Sequence, residues 1–250
     1  MENKELKIVV LAGGEGKRMQ SQLPKVLIPL AGKPLISYVL EAIKESGICA
    51  RPTIVVGQQR ELVMKTLGDA YDYVVQREQL GTGHAVQRTQ PLLENKFENI
   101  MVLYGDMPFI KPETIRDIFN YHISHNANIT MGTVLLKDFQ DWRKAFYSFG
   151  RIERDKNGNI KKIIYEKNPT LEELKIMEVD PCYYCFKANW LWFKLGMLKN
   201  ENSHGEYYLT DLVGLAIAEG QPPETIQIPP HDALGANSKE DLEILEKLLV

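Results

Sequence analysis

The stretch Leu6-Lys7-Ile8-Val9-Val10-Leu11-Ala12-Gly13-Gly14-Glu15-Gly16-Lys17-Arg18-Met19, followed by Leu23-Pro24-Lys25, decides how this chain is read. An apolar strand, Leu6 to Leu11, runs straight into a turn with three glycines. Those glycines let the backbone approach a ligand closely and offer its N–H groups to phosphate oxygens. Arg18 and Lys25 add two cations that can neutralise such oxygens. The order strand, glycine turn, cation suggests a nucleotide site.

Working outward, strand and helix alternate through the first half. Apolar strands are expected at Ile8–Leu11, Thr53–Val56, Tyr73–Val75, Ile100–Tyr104 and Ile129–Leu135. Helices are expected at Leu35–Ser46, Arg60–Leu67, Gly83–Leu93 and Pro112–His125. The helix from Leu35 buries Leu35, Val39, Leu40 and Ile43 at helical spacing, starts behind Pro34 and stops at Gly47. This alternation predicts an α/β, Rossmann-like fold: a mainly parallel, mixed sheet flanked by helices on both faces. In such sheets ligands lie beyond the C-terminal strand ends, so the glycine turn and Tyr104-Gly105-Asp106 share one rim.

The second half changes character. Gly150–Arg154 and Ile160–Tyr165 flank Asp155-Lys156-Asn157-Gly158-Asn159, a turn signal for a β-hairpin. A strand near Val179–Phe186, helices near Asn189–Leu198 and Leu209–Glu219, and a strand at Thr225–Ile228 follow. A last helix, Ser238 to Leu248, has Ser238 as its N-cap. With no linker or repeat, residues 1–250 are expected to form a single domain. Residues 1–135 make its mainly nucleotide-binding half and 136–250 its second half, a subregion over the rim.

Composition excludes several classes. The 250 residues carry a net charge of -3, which gives no reason to expect nucleic-acid or anionic-membrane binding. No apolar run is long enough to span a bilayer, and the charged start is no signal peptide. Three cysteines are too few for a disulfide framework and fit a cytoplasmic protein. Cys182 and Cys185 have redox spacing, but in a strand they face opposite sides and read as packed thiols. His122 and His125, near a helix end with no acidic partner beside them, read as solvated.

Three further segments carry chemistry. The glycine turn lacks the third glycine of the dinucleotide fingerprint and is not a Walker loop. Gln76 to Ala85 follows the third strand, and its amides can read a base edge. Gly81 and Thr82 open a helix there. Asp106 ends another strand as a lone acid, a candidate magnesium ligand or a turn cap. Gly235-Ala236-Asn237 is a second small turn that bears an oxygen.

Taken in order, Leu11-Ala12-Gly13-Gly14-x-Gly16-x-Arg18-Met19, Pro24-Lys25-Val26-Leu27, Gln79 to Ala85, Tyr104-Gly105-Asp106 and Gly205 to Asp211 resemble the sugar-nucleotide pyrophosphorylases. They look most like the uridylyltransferase domain of bacterial N-acetylglucosamine-1-phosphate uridylyltransferases. The resemblance implies a nucleotidyltransferase that joins UTP and a sugar 1-phosphate and releases a nucleotide sugar and pyrophosphate. N-acetylglucosamine 1-phosphate is the first expected sugar and glucose 1-phosphate the alternative. It also implies roles. Leu11, Ala12, Gly13, Gly14, Gln76, Gly81, Thr82 and Tyr104 would hold the nucleotide, Gln76 with Gly81 and Thr82 reading uracil. Arg18 and Lys25 would contact phosphates, and Asp106 and Asn237 would hold Mg2+. Gly105, Gly150, Tyr165, Glu166 and Asp180 would face the sugar, and Gly205 to Asp211 would shape the sugar side. The reaction needs no general base, because a phosphate oxygen is already ionised. A module that binds nucleotide sugar without turnover is the competing class; retention of Arg18, Lys25, Asp106 and Asn237 weighs against it.

The pattern departs from these relatives at several positions. Tyr165 stands where they carry a sugar-binding Glu, and the neighbouring Glu166 would face the other way in a regular strand. Asp180 replaces an Asn, and Pro181 removes a backbone N–H. Lys17 replaces a Thr near the phosphates. The sugar-side changes can alter which sugar is accepted. The relatives continue into a hexapeptide-repeat acetyltransferase domain; no such repeat occurs here, so acetyl transfer is not expected.

Overall fold

The opening run folds as β1 (Leu6–Ala12), with every residue buried. Ile8 and Val10 face one core while Val9 and Leu11 face another, the period-two division of a strand covered on both sides. The computed structural model describes residues 5–14, 16–19, 21–165 and 170–249. Glu166 and the Lys17 side chain lie outside what is described.

After β1 come the short strands β2 (Pro29–Leu30) and β3 (Lys33–Pro34), then α1 (Leu35–Ser46), β4 (Thr53–Val56), α2 (Arg60–Leu67) and β5 (Asp72–Val75). Next are α3 (Thr82–Gln87), α4 (Gln90–Leu93), β6 (Asn99–Tyr104), α5 (Pro112–Ser124) and β7 (Ile129–Leu135). The second half adds β8 (Gly150–Arg154), β9 (Ile160–Ile164), β10 (Glu178–Asp180) and β11 (Tyr184–Lys187). It closes with α6 (Ala188–Leu195), α7 (Asp211–Ala218), β12 (Glu224–Gln227) and α8 (Lys239–Leu249). Gly47 ends α1 in the left-handed region, at φ 73°.

One mixed ten-stranded sheet runs through both halves in the order β5-β4-β1-β6-β11-β7-β10-β8-β9, with β12 also on β7. The four strands from β5 to β6 are parallel. β11 inserts antiparallel between β6 and β7, and β10, β8 and β9 continue antiparallel beyond. β1 has β4 on one side and β6 on the other, so strand order reverses there and opens a crevice beyond the C-terminal ends. Leu11 pairs with Tyr104 at the mouth of that crevice.

Two expected elements are broken. The helix expected over Gly83–Leu93 divides into α3 and α4. Pro91 has no N–H for a continuous helix and falls in the first turn of α4, and the Thr89 hydroxyl donates to the Val86 carbonyl at 2.7 Å. The strand expected over Val179–Phe186 divides into β10 and β11. Pro181 cannot donate to a ladder, and Cys182 adopts φ 63°. The break lets β7 pair with β11 along its first half and with β10 at its end. Asp180 and Gly150, partners across β10 and β8, line one cavity together. Cys185 is buried, and Cys182 is half-buried on a cavity wall.

His122 also corrects an expectation, while His125 is exposed as expected. The His122 ring is buried, with Nδ1 at 2.9 Å from Thr130 Oγ1 and Nε2 at 3.1 Å from Asn99 Oδ1. Burial first, then the charge of Lys187, pulls its pKa from 6.5 to about 4. Protonation therefore favours the unfolded chain. Stability should fall by up to about 3 kcal/mol as pH drops from about 6.5 to about 4, and should be flat in this group above that window. Urea unfolding at stepped pH checks this: the His122→Gln variant should lose most of that slope.

Candidate active site

A cavity of about 220 Å³ fills the crevice, lined by Leu11, Gly13 and Gly14 behind β1 and by Tyr104 and Asp106 behind β6. Its far wall is the Gln76–Thr82 loop. The Gln76 side chain is buried; its amide N–H groups donate to the Gly81 carbonyl at 2.9 Å and to His84 Nδ1 at 3.2 Å. His84 is thus held as an acceptor, and burial followed by the charge of Arg88 lowers its pKa, which keeps it neutral there. The donor end of Gln76 is committed to the loop, while its Oε1 faces Gly13. Gly81 adopts φ 97°, and a Cβ there would lie 2.5 Å from the Tyr207 carbonyl oxygen, so only glycine fits.

The segment from Gly205 to Asp211 braces this loop rather than the opposite side. Tyr207 N–H donates to the Leu80 carbonyl, Gly83 N–H to the Tyr207 carbonyl (both 2.8 Å), and Leu209 N–H to the Thr82 hydroxyl at 2.9 Å. Glu206 lines the same cavity as Gln76, and Leu209 is core. Gly205 to Asp211, expected to shape the sugar side, thus packs on the Leu80–Gly83 loop. These bonds also use the Gly83 N–H that a helix start would otherwise present.

Lys25 lies at the centre. Its ammonium donates to Asn237 Oδ1 at 2.7 Å and forms an ion pair with Asp106 Oδ2. The two oxygens are brought together by the backbone: Ala236 N–H donates to the Asp106 carbonyl at 3.0 Å. Asn237 is fixed by the start of α8, where Asp241 Oδ2 accepts the N–H groups of Asn237 and Ser238 at 2.9 Å each. The Ser238 hydroxyl accepts the Asp241 N–H at 3.2 Å in return, a reciprocal cap that bears out Ser238 as N-cap.

A second cavity, of about 310 Å³, shares Tyr104 and Asp106 with the first and lies on their other side. Arg18, Asn237, Gly150, Tyr165 and Asp180 line it. The two cations are thus split: Lys25 faces the first cavity and exposed Arg18 the second. Asp180 is 1% exposed. Its Oδ2 accepts hydroxyl hydrogens from Tyr165 and Tyr184, and its Oδ1 accepts the Cys182 N–H at 2.7 Å. Burial raises the Asp180 carboxyl above the usual carboxylate range, against those hydrogen bonds. The loop before Gly150 is held from behind by buried Arg151, which donates to the carbonyls of Phe149 at 2.9 Å and Tyr147 at 3.0 Å.

Most of the residues singled out in the sequence meet at these two cavities. Ala12 lies in a neighbouring hollow beside Gly13 and Gly14. Gly105 is buried under Val26 and Ile36 and lines neither cavity. Gln79, Glu206, Ser148 and Phe149 were not foreseen as lining residues. Gln79 and Glu206 lie inside quoted motifs, but Ser148 and Phe149, just before Gly150, belong to no pattern that separates them from core.

The donor set has a definite chemistry. Two hard oxygens, Asp106 Oδ2 and Asn237 Oδ1, already converge on one cation, the Lys25 ammonium. A magnesium ion takes such oxygens and completes its shell with phosphate and water, so the residues fit a two-oxygen protein site. Among the described residues no group of three or more His, Cys, Asp and Glu that could hold a metal ion converges. No helix among those residues is long and apolar enough to cross a membrane.

Comparison with known proteins agrees with the geometry. The chain is 38% identical over 238 residues to the Bifunctional protein GlmU of Acetivibrio thermocellus, covering 95% of this chain and 50% of that protein. It is 36% identical over 247 residues to the Bifunctional protein GlmU of Desulfotalea psychrophila, covering 98% of this chain and 70% of that one. The chain thus spans about half the length of the first of these curated relatives. In fold it superposes on a UDP-glucose pyrophosphorylase complexed with UDP-glucose, with a TM-score of 0.78 at 20% identity over 98% of both chains. Residues 8–138 match the family model described as the MobA-like NTP transferase domain. From β1 and its glycine turn through β7, and in the relatives that align along nearly its whole length, this chain is a member of the MobA-like NTP transferase family of nucleotidyltransferases.

Proposed function

We propose that the chain transfers a uridylyl group from UTP to a sugar 1-phosphate, giving a nucleotide sugar and pyrophosphate. The observation that carries this reading is the pair of cavities that meet at Asp106. The glycine turn and the Gln76–Thr82 loop form a site for a base and its phosphates on one side. The second cavity has room for a hexose phosphate on the other. A sugar-phosphate oxygen attacks the α-phosphorus at the junction. The bond from that phosphorus to the bridging oxygen breaks, and pyrophosphate carries the electron pair away. No proton needs to move, so no general base is required.

The chain's own residues would act electrostatically. Lys25 would leave Asp106 and Asn237 for the phosphates of the nucleotide, and Arg18 would hold the phosphate of the incoming sugar from the second cavity. Asp106 and Asn237 would then hold Mg2+, which when bound neutralises the charge that builds on the phosphate oxygens. Tyr104 stands at the junction, and its burial keeps the phenol protonated, so it adds no negative charge beside the reacting phosphates. The motif resemblance speaks for N-acetylglucosamine 1-phosphate as the sugar, and the Tyr165–Asp180 wall speaks for glucose 1-phosphate. Cytoplasmic location is part of the same proposal.

Pyrophosphate release coupled to a colorimetric phosphate readout tests the reaction. Turnover should require UTP, a hexose 1-phosphate and Mg2+ together, and omission of any one should lower it at least about 100-fold. Release from UTP alone at the full rate would overturn the transfer reading.

A further inference from the structure

The wall of the second cavity opposite Asp106 is built from Tyr165, Asp180, Pro181 and Cys182. Its hydrogen-bond donors all turn inward. The Tyr165 and Tyr184 hydroxyls donate to Asp180 Oδ2, and the Cys182 N–H donates to Oδ1. The Cys182 thiol lies 3.8 Å from Oδ2, and Pro181 has no N–H. The two hydroxyls and the thiol fill Oδ2, and Oδ1 keeps one lone-pair position beside the Cys182 N–H, so this wall can accept a hydrogen but has none to give. The group that faces the cavity is the Tyr165 ring, whose oxygen keeps acceptor capacity but no free hydrogen. The ring is seated on Gly150: a Cβ there would collide with ring atom Cε1 and lie 2.8 Å from Cδ1.

We infer that Tyr165, latched by Asp180 and seated on Gly150, is the specificity-determining residue for the sugar, selecting a hexose 1-phosphate that presents a hydroxyl here over one that presents an acylamido carbonyl. A hydroxyl brings the hydrogen that the wall lacks. An acylamido carbonyl needs a donor, and among the described residues Tyr165, Asp180, Pro181 and Cys182 have no free hydrogen to give it. The inference deepens the uridylyltransferase reading and rests on it.

The test is steady-state kinetics with UTP, Mg2+ and either glucose 1-phosphate or N-acetylglucosamine 1-phosphate. The unsubstituted protein should favour glucose 1-phosphate at least about tenfold in kcat/KM. Asp180→Asn puts N–H donors on the wall at nearly constant shape, and Gly150→Ala pushes the ring away. Both should move the ratio toward N-acetylglucosamine 1-phosphate by about tenfold, while the KM for UTP stays within about twofold. A preference of the unsubstituted protein for the N-acetylated sugar overturns the inference. So does a ratio unchanged in both variants, or a UTP KM that rises as much as the sugar KM, which marks a merely structural role. Calorimetric titration with UTP separates the two levels. UTP binding without turnover of either sugar removes sugar 1-phosphates as the substrate class, and the inference with them. Absent UTP binding removes the nucleotide reading itself.

Discussion

Replacing Lys25 with Met is expected to lower kcat by about 10² to 10³-fold and, in the same protein, to strengthen divalent-cation binding in the absence of nucleotide. The two effects have one cause. The Lys25 ammonium is held by Asn237 Oδ1 at 2.7 Å and by Asp106 Oδ2, the pair of oxygens that fits a magnesium ion. In the free protein an arriving cation must displace that ammonium. Met leaves both oxygens open, so the cation meets no competitor. In the proposed transfer the same ammonium would have a different task, because negative charge would grow on the phosphate oxygens and a fixed cation there is worth a factor of this size. Free Mn2+ measured by electron paramagnetic resonance during a titration reads the first effect, and single-turnover pyrophosphate release reads the second. Both side chains lie on a cavity wall, 12% and 17% exposed, so the unpaired Asp106 should cost only about 1 kcal/mol of stability. Mn2+ binding that weakens in Lys25→Met would mean that the ammonium and the metal do not share a position.

Much of this arrangement is legible before any coordinates. β1 announces itself because seven consecutive buried residues leave no polar face, and its glycine turn has to follow a strand end. The helix over Leu35–Ser46 was bounded correctly by Pro34 and Gly47, since a fixed φ and a left-handed cap are local requirements. Asp106 and Asn237 are each weak signals alone, and their convergence depends on a single backbone bond between Ala236 and Asp106, which no spacing rule contains. The pieces that stayed hidden are those in which a distant segment competes with local pattern. Val179–Phe186 reads as one strand from its Val, Tyr and Phe despite Pro181, yet β7 takes β11 and β10 as successive partners and the chain breaks between them. His122 sits on a helix face that looks wet until β7 and the Asn99 end of β6 close over it. The packing of Gly205 to Asp211 on the Leu80–Gly83 loop is hidden in the same way, because its three bonds join segments more than 120 residues apart.

Asp106 is the residue whose loss should weigh most, and the expected result again has two opposed parts. Asp106→Ala removes one of the two oxygens proposed to hold the metal and the only carboxylate of the pair, so kcat with Mg2+ should fall at least about 10³-fold. Asp106→Asn keeps an oxygen but loses its charge, and should fall less, by about 10². Without metal the direction reverses. Asp106 lines the cavity in which the triphosphate is proposed to bind, where its charge repels the ligand and holds Lys25 back. In Asp106→Ala the ammonium is released toward the phosphates, so UTP should bind severalfold tighter in a chelator than it does to the unsubstituted protein. Calorimetric titrations with and without Mg2+ check both signs in one preparation, and a retained urea midpoint excludes misfolding. The double variant Lys25→Met with Asp106→Ala should lose little more turnover than Asp106→Ala alone, because the two side chains act on the same phosphate charge as a unit. Multiplicative losses, or a rate in Asp106→Ala equal to that of the unsubstituted protein, would take Asp106 out of the reaction centre.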